Sequence, residues 1–177
     1  MNNQKIKALV LIALFSAIIV ICSLITIPAA IPFTLQTFGV FLCFCVLGAK
    51  KGLASVIIYV LLGIIGLPVF SGFNGGIGAL LNVSGGYIFG FIFSALAFWL
   101  VDSLLIKKPR KVAKTLSSLA GLIVCYFFGT LWYILFFARN GEAIPVTTAI
   151  AVCVLPFIIP DILKIALAIS ISEKIKM

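Results

Sequence analysis

Apolar residues along this chain fall into long runs, and charged residues occur mostly between the runs. A run of about 20 apolar residues is long enough for a helix to cross a membrane. The runs predict six transmembrane helices with approximate bounds of 7–27, 34–49, 53–66, 84–106, 116–138 and 157–173. The predicted fold is therefore an all-α integral membrane protein, with residues 1–177 forming a single membrane domain.

Breaks in the apolar pattern predict where the chain leaves regular helix. Residues 67–83 are rich in glycine, contain aromatic side chains and carry no charge, as expected for a loop that caps a cavity or re-enters the membrane. The segment Lys50-Lys51-Gly52 is predicted as a tight basic turn. Pro156 and Pro160 divide the last run, which predicts a short segment at about 146–155 and places Pro160 in the first turn of the sixth helix.

Composition agrees with a membrane protein and excludes several activities. Hydrophobic residues make up 64% of the chain and charged residues 10%, whereas soluble domains have about 25% charged residues. The first run follows two lysines, as in a signal peptide, but it is longer than a typical signal core and predicts the first membrane helix.

The chain has no histidine, four acids and five cysteines without paired spacing, so no metal or cofactor is expected. It also lacks a phosphate-binding loop and a nucleophile–base arrangement, so an enzyme is not expected.

The positive charges predict membrane topology and give no support to nucleic-acid binding. The net charge is +9, but the basic residues flank apolar spans and do not form one face. With the N-terminus in the cytoplasm, six crossings place all but two of the thirteen lysines and arginines inside, the exceptions being Arg139 and Lys164. Cytoplasmic loops carry an excess of such residues. We therefore predict that both termini are cytoplasmic and that the glycine-rich loop lies at the outer face.

Asp161 and Lys164 are the unusual feature of the last run, because they place opposite charges inside an apolar segment. Charges within a membrane segment are costly and by default mark a functional site, although a pair that merely neutralises itself is an alternative. At helical spacing the two side chains point to one face. The topology brings polar and aromatic residues of two outer loops towards them: Thr34, Gln36, Asn82, Ser84, Tyr87, Phe33, Phe70 and Phe73. These residues predict a site for a small, partly apolar molecule.

Several motifs, in this order and spacing, resemble the BioY family of biotin-specific S components of energy-coupling factor transporters. Pro32–Thr37 resembles a Pro-x-Thr-Leu-Gln-Thr signature, and Gly63–Phe70 resembles a Gly-x-x-Gly-Leu-Pro-Val-Phe run. Gly85–Phe91 resembles a Gly-Gly-Tyr-x-x-Gly-Phe run, and Asp161–Lys164 resembles an Asp-x-x-Lys motif. The resemblance covers nearly the whole chain. It departs at residues 81–84, where the family pattern has something closer to Gly-Pro-Thr.

The resemblance implies a six-helix subunit of the bacterial cytoplasmic membrane that captures biotin at its outer face. It implies partners that supply the energy, namely a transmembrane coupling protein (the T component) and two ABC ATPases. Ala13 and Ala17 on the first helix would then pack against the coupling protein. The chain itself would be a non-catalytic subunit whose ligand is biotin.

The chemistry of biotin assigns expected roles to the candidate residues. The resemblance implies that Asp161 accepts from a ureido N–H, that Lys164 donates to the ligand and that Asn82 completes the ureido contacts. The candidates for the carboxylate are Thr34, Gln36 and backbone amides near Gly85, and the candidates for covering the bicycle are Phe70 and Tyr87.

Two alternatives remain open at this point. One is an S component for a different vitamin, whose site would not use the Asp161–Lys164 pair in this way. The other is a small membrane enzyme or channel, which would show activity or flux in isolation.

Overall fold

The computed structural model describes residues 3–175, which form a bundle of helices with one small β-hairpin. The helices are α1 (Asn3–Leu24), α2 (Gln36–Leu47), α3 (Ala49–Ile64), α4 (Ile77–Leu80), α5 (Gly85–Leu104), α6 (Arg110–Arg139), α7 (Val146–Cys153) and α8 (Leu155–Lys174). The strands are β1 (Thr26–Ile27) and β2 (Phe33–Thr34), and a 3-10 helix spans Ser71–Phe73. The helical prediction is therefore confirmed, while the hairpin was not predicted.

Helix α2 lies at the centre of the bundle. It packs against α1, α3 and α8, and eight of its twelve residues are buried. Phe41 and Phe44 are completely buried in the core that these helices share. Helices α5 and α6 pack closely along each other, and Gly90 and Gly121 lie at this contact or beside it with no side chain to separate the backbones.

The outside of the bundle is apolar, as expected for a protein surrounded by lipid. Large apolar side chains such as Leu100, Ile123 and Leu163 are more than 60% exposed. Among residues 3–175, four segments are long and apolar enough to cross a membrane by length and composition: Asn3–Leu24, Gly85–Leu104, Arg110–Arg139 and Val146–Lys174. Helices α2 and α3 are shorter, at about 18 and 24 Å, than a hydrocarbon core of about 30 Å. The chain is thus a multi-pass helical membrane protein.

The hairpin connects α1 to α2 and fixes the entry to α2. Thr26 pairs with Thr34 and Ile27 pairs with Phe33 in antiparallel register. Two residues per strand are too few for a period-two pattern to reveal, which explains why the sequence predicted only a loop here. The pairing holds the backbone of Thr34 beside the start of α2.

Two predicted turns differ from the structure. Lys50, Lys51 and Gly52 were predicted as a turn, which is wrong, because they lie in α3. The direction changes at Gly48, whose φ of 77° is readily adopted only by glycine. Helix α6 begins at Arg110, six residues earlier than predicted, because lysine and arginine continue a helix well once Pro109 has started it.

The last apolar stretch is divided at Val154, where α7 ends and α8 begins. The predicted short segment therefore exists as α7, but α8 starts before both prolines. Pro156 occupies the first turn, whereas Pro160 lies inside the helix, so its predicted position is wrong. Asp161 and Lys164 consequently lie in the second and third turns of α8 rather than at its start.

Candidate functional site

A cavity opens at the end of the bundle away from the N-terminus of α1. The space that protein atoms leave empty there is about 620 Å³, and this volume includes the part of the cavity that is open to solvent. Its lining residues come from the hairpin connection, α2, the 3-10 helix, α5, α6 and α8: Ile31, Pro32, Thr34, Gln36, Thr37, Ser71, Ser84, Tyr87, Ile88, Phe91, Leu122, Cys125, Tyr126, Phe157, Asp161 and Lys164.

A buried ion pair lies in the wall of the cavity. Lys164 Nζ is 2.8 Å from Asp161 Oδ1, and the two residues are only 8% and 3% exposed. Lys164 Nζ also donates to the backbone carbonyl of Thr34 at 2.7 Å. The hydroxyl of Tyr126 donates to Asp161 Oδ2 at 2.9 Å. Each carboxylate oxygen therefore has one protein donor, and the ammonium has two protein acceptors.

This network retains hydrogen-bonding capacity towards the cavity. A carboxylate offers about four acceptor positions and an ammonium three donors. Asp161 uses two of its acceptor positions and Lys164 two of its donors in the contacts above. The pair thus offers both acceptors and a donor to one ligand, which suits a molecule with N–H groups beside a carbonyl.

Aromatic rings surround the charged end of the site. Lys164 Nζ lies 4.3 Å from the centroid of the Phe33 ring, a cation–π distance. Phe33 in turn stacks on Phe157, with centroids 5.8 Å apart and planes 21° apart. Strand β2 and α8 are therefore joined by stacking as well as by the Lys164 hydrogen bond to Thr34, and the hairpin contributes directly to the site.

Gln36 and Thr34 place further polar groups at the start of α2. The backbone N–H of Gln36 donates to Thr34 Oγ1 at 3.1 Å, and Gln36 Nε2 donates to the hydroxyl of Tyr59 at 2.6 Å. Tyr59 is fully buried and packs edge-on against Phe70. The amide of Gln36 is thus held in place by a buried partner, and its orientation is fixed before a ligand arrives.

Tyr87 of α5 forms another part of the cavity wall. Its hydroxyl donates to the backbone carbonyl of Cys153 at 2.9 Å, which ties α5 to the end of α7. Its ring lies against Gly129 of α6, where a built Cβ would come within 2.3 Å of the ring. Glycine at this position makes room for the ring, and the ring in turn limits the width of the cavity.

The structure brings together five of the eight residues that the sequence proposed for substrate binding, namely Thr34, Gln36, Tyr87, Asp161 and Lys164. The remaining three, Asn82, Gly85 and Phe70, do not line the cavity.

The three residues outside the cavity are engaged elsewhere. Asn82 is exposed, and its Oδ1 accepts from the N–H of Val83 at 2.7 Å. The N–H of Gly85 donates to the carbonyl of Asn82 at 3.0 Å. Phe70 is buried in the core, in the space that Gly63 leaves beside Tyr59.

The sequence did not indicate several of the residues that line the cavity, and Tyr126 is the most important of them. It lies in the middle of a 30-residue apolar helix, where few polar groups interrupt the apolar residues. Tyrosines in membrane helices favour the interfaces with water, so a central position is a weak signal of a buried partner. Phe157 and Leu122 carry no such signal, because they are ordinary apolar residues in apolar runs.

The polar groups that line the cavity are an ion pair, two tyrosine hydroxyls, an amide, a thiol and several serine and threonine hydroxyls. Within residues 3–175, no group of three histidine, cysteine or acidic side chains is placed to hold a metal ion.

The whole chain has clear relatives among known proteins. Residues 1–177 match the model of the BioY family. The chain is 39% identical over 174 residues to the probable biotin transporter BioY of Pyrococcus horikoshii, with 98% of each chain covered. It is 41% identical over 176 residues to the biotin transporter BioY of Thermotoga maritima, covering 98% of this chain and 96% of that one.

A solved structure has the same fold. The crystal structure of the S-component for biotin from an ECF-type ABC transporter superposes with a TM-score of 0.86 at 32% sequence identity, covering 98% of this chain and 93% of the other. Fold and sequence therefore agree along almost the entire length of the two chains. This chain belongs to the BioY family.

Proposed function

We propose that this chain is the biotin-binding S component of an ECF-type ABC transporter. The observation that carries the proposal is the buried Asp161–Lys164 pair in the wall of a cavity at one end of the bundle, in a chain of the BioY family.

The ureido ring of biotin fits the charged end of the site. This ring has two N–H donors and one carbonyl acceptor, which match the acceptor positions of Asp161 and the free donor capacity of Lys164. Hydrogen bonds to charged groups in an apolar surrounding are strong, so this contact would contribute much of the affinity. Tyr126 would hold the carboxylate in the orientation that receives the ligand, through its hydrogen bond to Oδ2.

The remaining candidates take the other parts of the ligand. Thr34 and Gln36 lie at the start of α2, where the N-terminal end of a helix favours a carboxylate. Tyr87 would cover the apolar bicycle. Asn82 and Gly85 would reach the ligand only if the turn at 82–85 moved, and Phe70 only if it left the core.

The proposed topology has six crossings, made by α1, α2, α3, α5, α6 and the α7–α8 pair. Both termini would be cytoplasmic, in the cytoplasmic membrane of a bacterium, and the cavity would open to the outside. The distribution of lysine and arginine supports this orientation. Because α2 and α3 are short, the hairpin and the loop after α3 would lie partly within the outer leaflet.

Transport would require partners, because the sequence contains no phosphate-binding loop for ATP. We propose a transmembrane coupling protein and two ABC ATPases, with ATP hydrolysis confined to those ATPases. Ala13 and Ala17 are exposed on α1, on the face that also exposes Val10, Leu14 and Ile21. Small residues on an open helix face permit another helix to approach closely, so this face is the proposed contact with the coupling protein. The proposal includes no metal or cofactor.

Equilibrium binding to the purified chain tests the proposal. We expect biotin to bind more tightly than about 1 μM without any partner subunit, and thiamine and riboflavin not to compete. Tight binding of another vitamin in place of biotin would support the alternative S component. Absence of tight biotin binding from correctly folded protein would overturn the proposed function.

A further inference from the structure

A second opening lies at the other end of the bundle, between the first turns of α1 and the turn from α2 to α3. We call it the lysine groove. Lys7 of α1 and Lys51 of α3 line it, together with the apolar side chains of Ala8, Leu11, Val46 and Leu47. Both lysines are exposed. Two ammonium groups from separate helices therefore flank one apolar groove.

Four other cations at this end of the molecule already have partners. Arg110 pairs with Asp102, and Lys111 lies 3.8 Å from Glu173. Lys114 donates to the hydroxyl of Ser172 at 2.9 Å, and Lys50 lies 5.2 Å from the centroid of the Trp99 ring.

Lys7 and Lys51 differ from these residues. Within residues 3–175, no carboxylate lies within ion-pairing distance of either lysine. Lys5, Lys107, Lys108 and Lys174 likewise form no ion pair within residues 3–175, but they do not line the groove, whereas Lys7 and Lys51 do.

The apolar part of the groove continues the buried face of α1. Lys7 and Leu11 are spaced four residues apart, and the same spacing leads on to Phe15 and Ile19, which are buried in the core. Side chains with this spacing share one helix face. The groove thus has its positive charge at the end of the helix and its apolar side chains further along the helix. A phospholipid has the same order, with a charged headgroup followed by an apolar acyl chain.

We propose that the lysine groove binds an anionic phospholipid. Its phosphate would lie between Lys7 and Lys51, and the first part of an acyl chain would lie against Leu11 and Leu47. The inference uses the proposed orientation, which places this end in the cytoplasmic leaflet, where anionic lipids attract basic side chains. An acidic segment of a partner protein fits less well, because the groove begins within the first turns of a membrane-crossing helix.

Native mass spectrometry of the purified chain, offered equal amounts of phosphatidylglycerol and phosphatidylcholine in mild detergent, tests the proposal. We expect the wild-type protein to retain phosphatidylglycerol preferentially. A lysine near an anionic surface strengthens the attraction about fivefold. The preference should therefore fall by about fivefold in each of K7Q and K51Q, and further in the double variant.

The matched control is the double variant K50Q/K108Q. It removes the same charge from the same end of the molecule, and Lys50 is the sequence neighbour of Lys51 but lies over Trp99. We expect this control to keep its lipid preference. An equal loss in both double variants, or no preference in the wild type, would overturn the proposal, as would an unchanged lipid preference in K7Q/K51Q.

Biotin binding by the same samples separates this inference from the proposed function. The cavity lies at the opposite end, so K7Q/K51Q should bind biotin as the wild type does, which also shows that the variant is folded. If K7Q/K51Q loses biotin binding, the lipid preference is compared instead between the wild type and the single variants K7Q and K51Q. A wild-type protein that prefers phosphatidylglycerol but fails to bind biotin would refute the proposed function and leave the lipid site in place.

Discussion

Removing one partner of the Asp161–Lys164 pair should destabilise the protein more than removing both. Asp161→Asn leaves a buried ammonium without its counter-charge, and Lys164→Met leaves a buried carboxylate whose protein donor is then Tyr126. The double variant contains neither charge. The comparison therefore isolates the electrostatic coupling of the pair from the loss of individual hydrogen bonds.

The distances set the size of the effect. At 2.8 Å, two unit charges attract by about 6 kcal/mol at an effective dielectric constant near 20. Desolvation costs several kcal/mol per ion, so the net contribution of the intact pair is small. Breaking the pair is different, because the remaining charge stays buried and its loss of a partner costs about 3–5 kcal/mol. Each single variant should show that loss, and the double variant should lose less than either of them, because it leaves no buried charge without a partner.

A thiol-reactive fluorophore provides the assay, because all five cysteines are buried and become reactive only on unfolding. Melting midpoints in detergent, without biotin, should decrease clearly in both single variants. The double variant should melt no lower than the less stable single variant. Lys50→Met is the matched control and should change stability by less than about 0.5 kcal/mol, since Lys50 is exposed. Additive losses in the double variant would refute the coupling, and an unchanged midpoint in Lys164→Met would refute the burial argument.

Three further predictions follow from the same structure. Tyr126→Phe removes the hydroxyl that donates to Asp161, so biotin affinity measured by calorimetry should fall about tenfold, and an unchanged affinity would contradict its positioning role. Gly129→Ala places a Cβ about 2.3 Å from the Tyr87 ring, so it should weaken biotin binding and cost about 1–3 kcal/mol of stability. The control Gly78→Ala adds a Cβ that meets no atom within 4 Å, so it should change neither biotin binding nor stability. In intact cells, a membrane-impermeant maleimide should label Glu142→Cys and not Lys108→Cys, and the reverse pattern would overturn the proposed orientation.

The sequence predicted the long helices well, because their boundaries coincide with charges, glycines and prolines at the ends of apolar runs. It failed where one residue decides between two local structures. Lys50 and Lys51 suggested a turn by their charge, yet the conformational freedom of Gly48 determines where the chain reverses. Pro160 suggested a helix start, but Pro156 already occupies that position, and the helix continues through the second proline.

The site was only partly predictable for a related reason. Asp161 and Lys164 stand out because charge in an apolar run is rare, whatever the fold. Tyr126 contributes a single hydroxyl from an apolar helix, and only the packing of α6 against α8 shows that it meets Asp161. Asn82 and Phe70 lie in the expected loop along the chain, but local hydrogen bonding and core packing direct them away from the cavity.

The central claim is that Asp161 receives the ureido group of biotin in this cavity. Its most direct test is biotin binding by the wild type and by Asp161→Asn, measured side by side on samples whose melting behaviour shows that they are folded. The wild type should bind biotin more tightly than about 1 μM, and the variant should bind at least about tenfold to hundredfold more weakly, as expected for losing a hydrogen bond to a charged group. Equal affinities in the two proteins would remove Asp161 from the binding site.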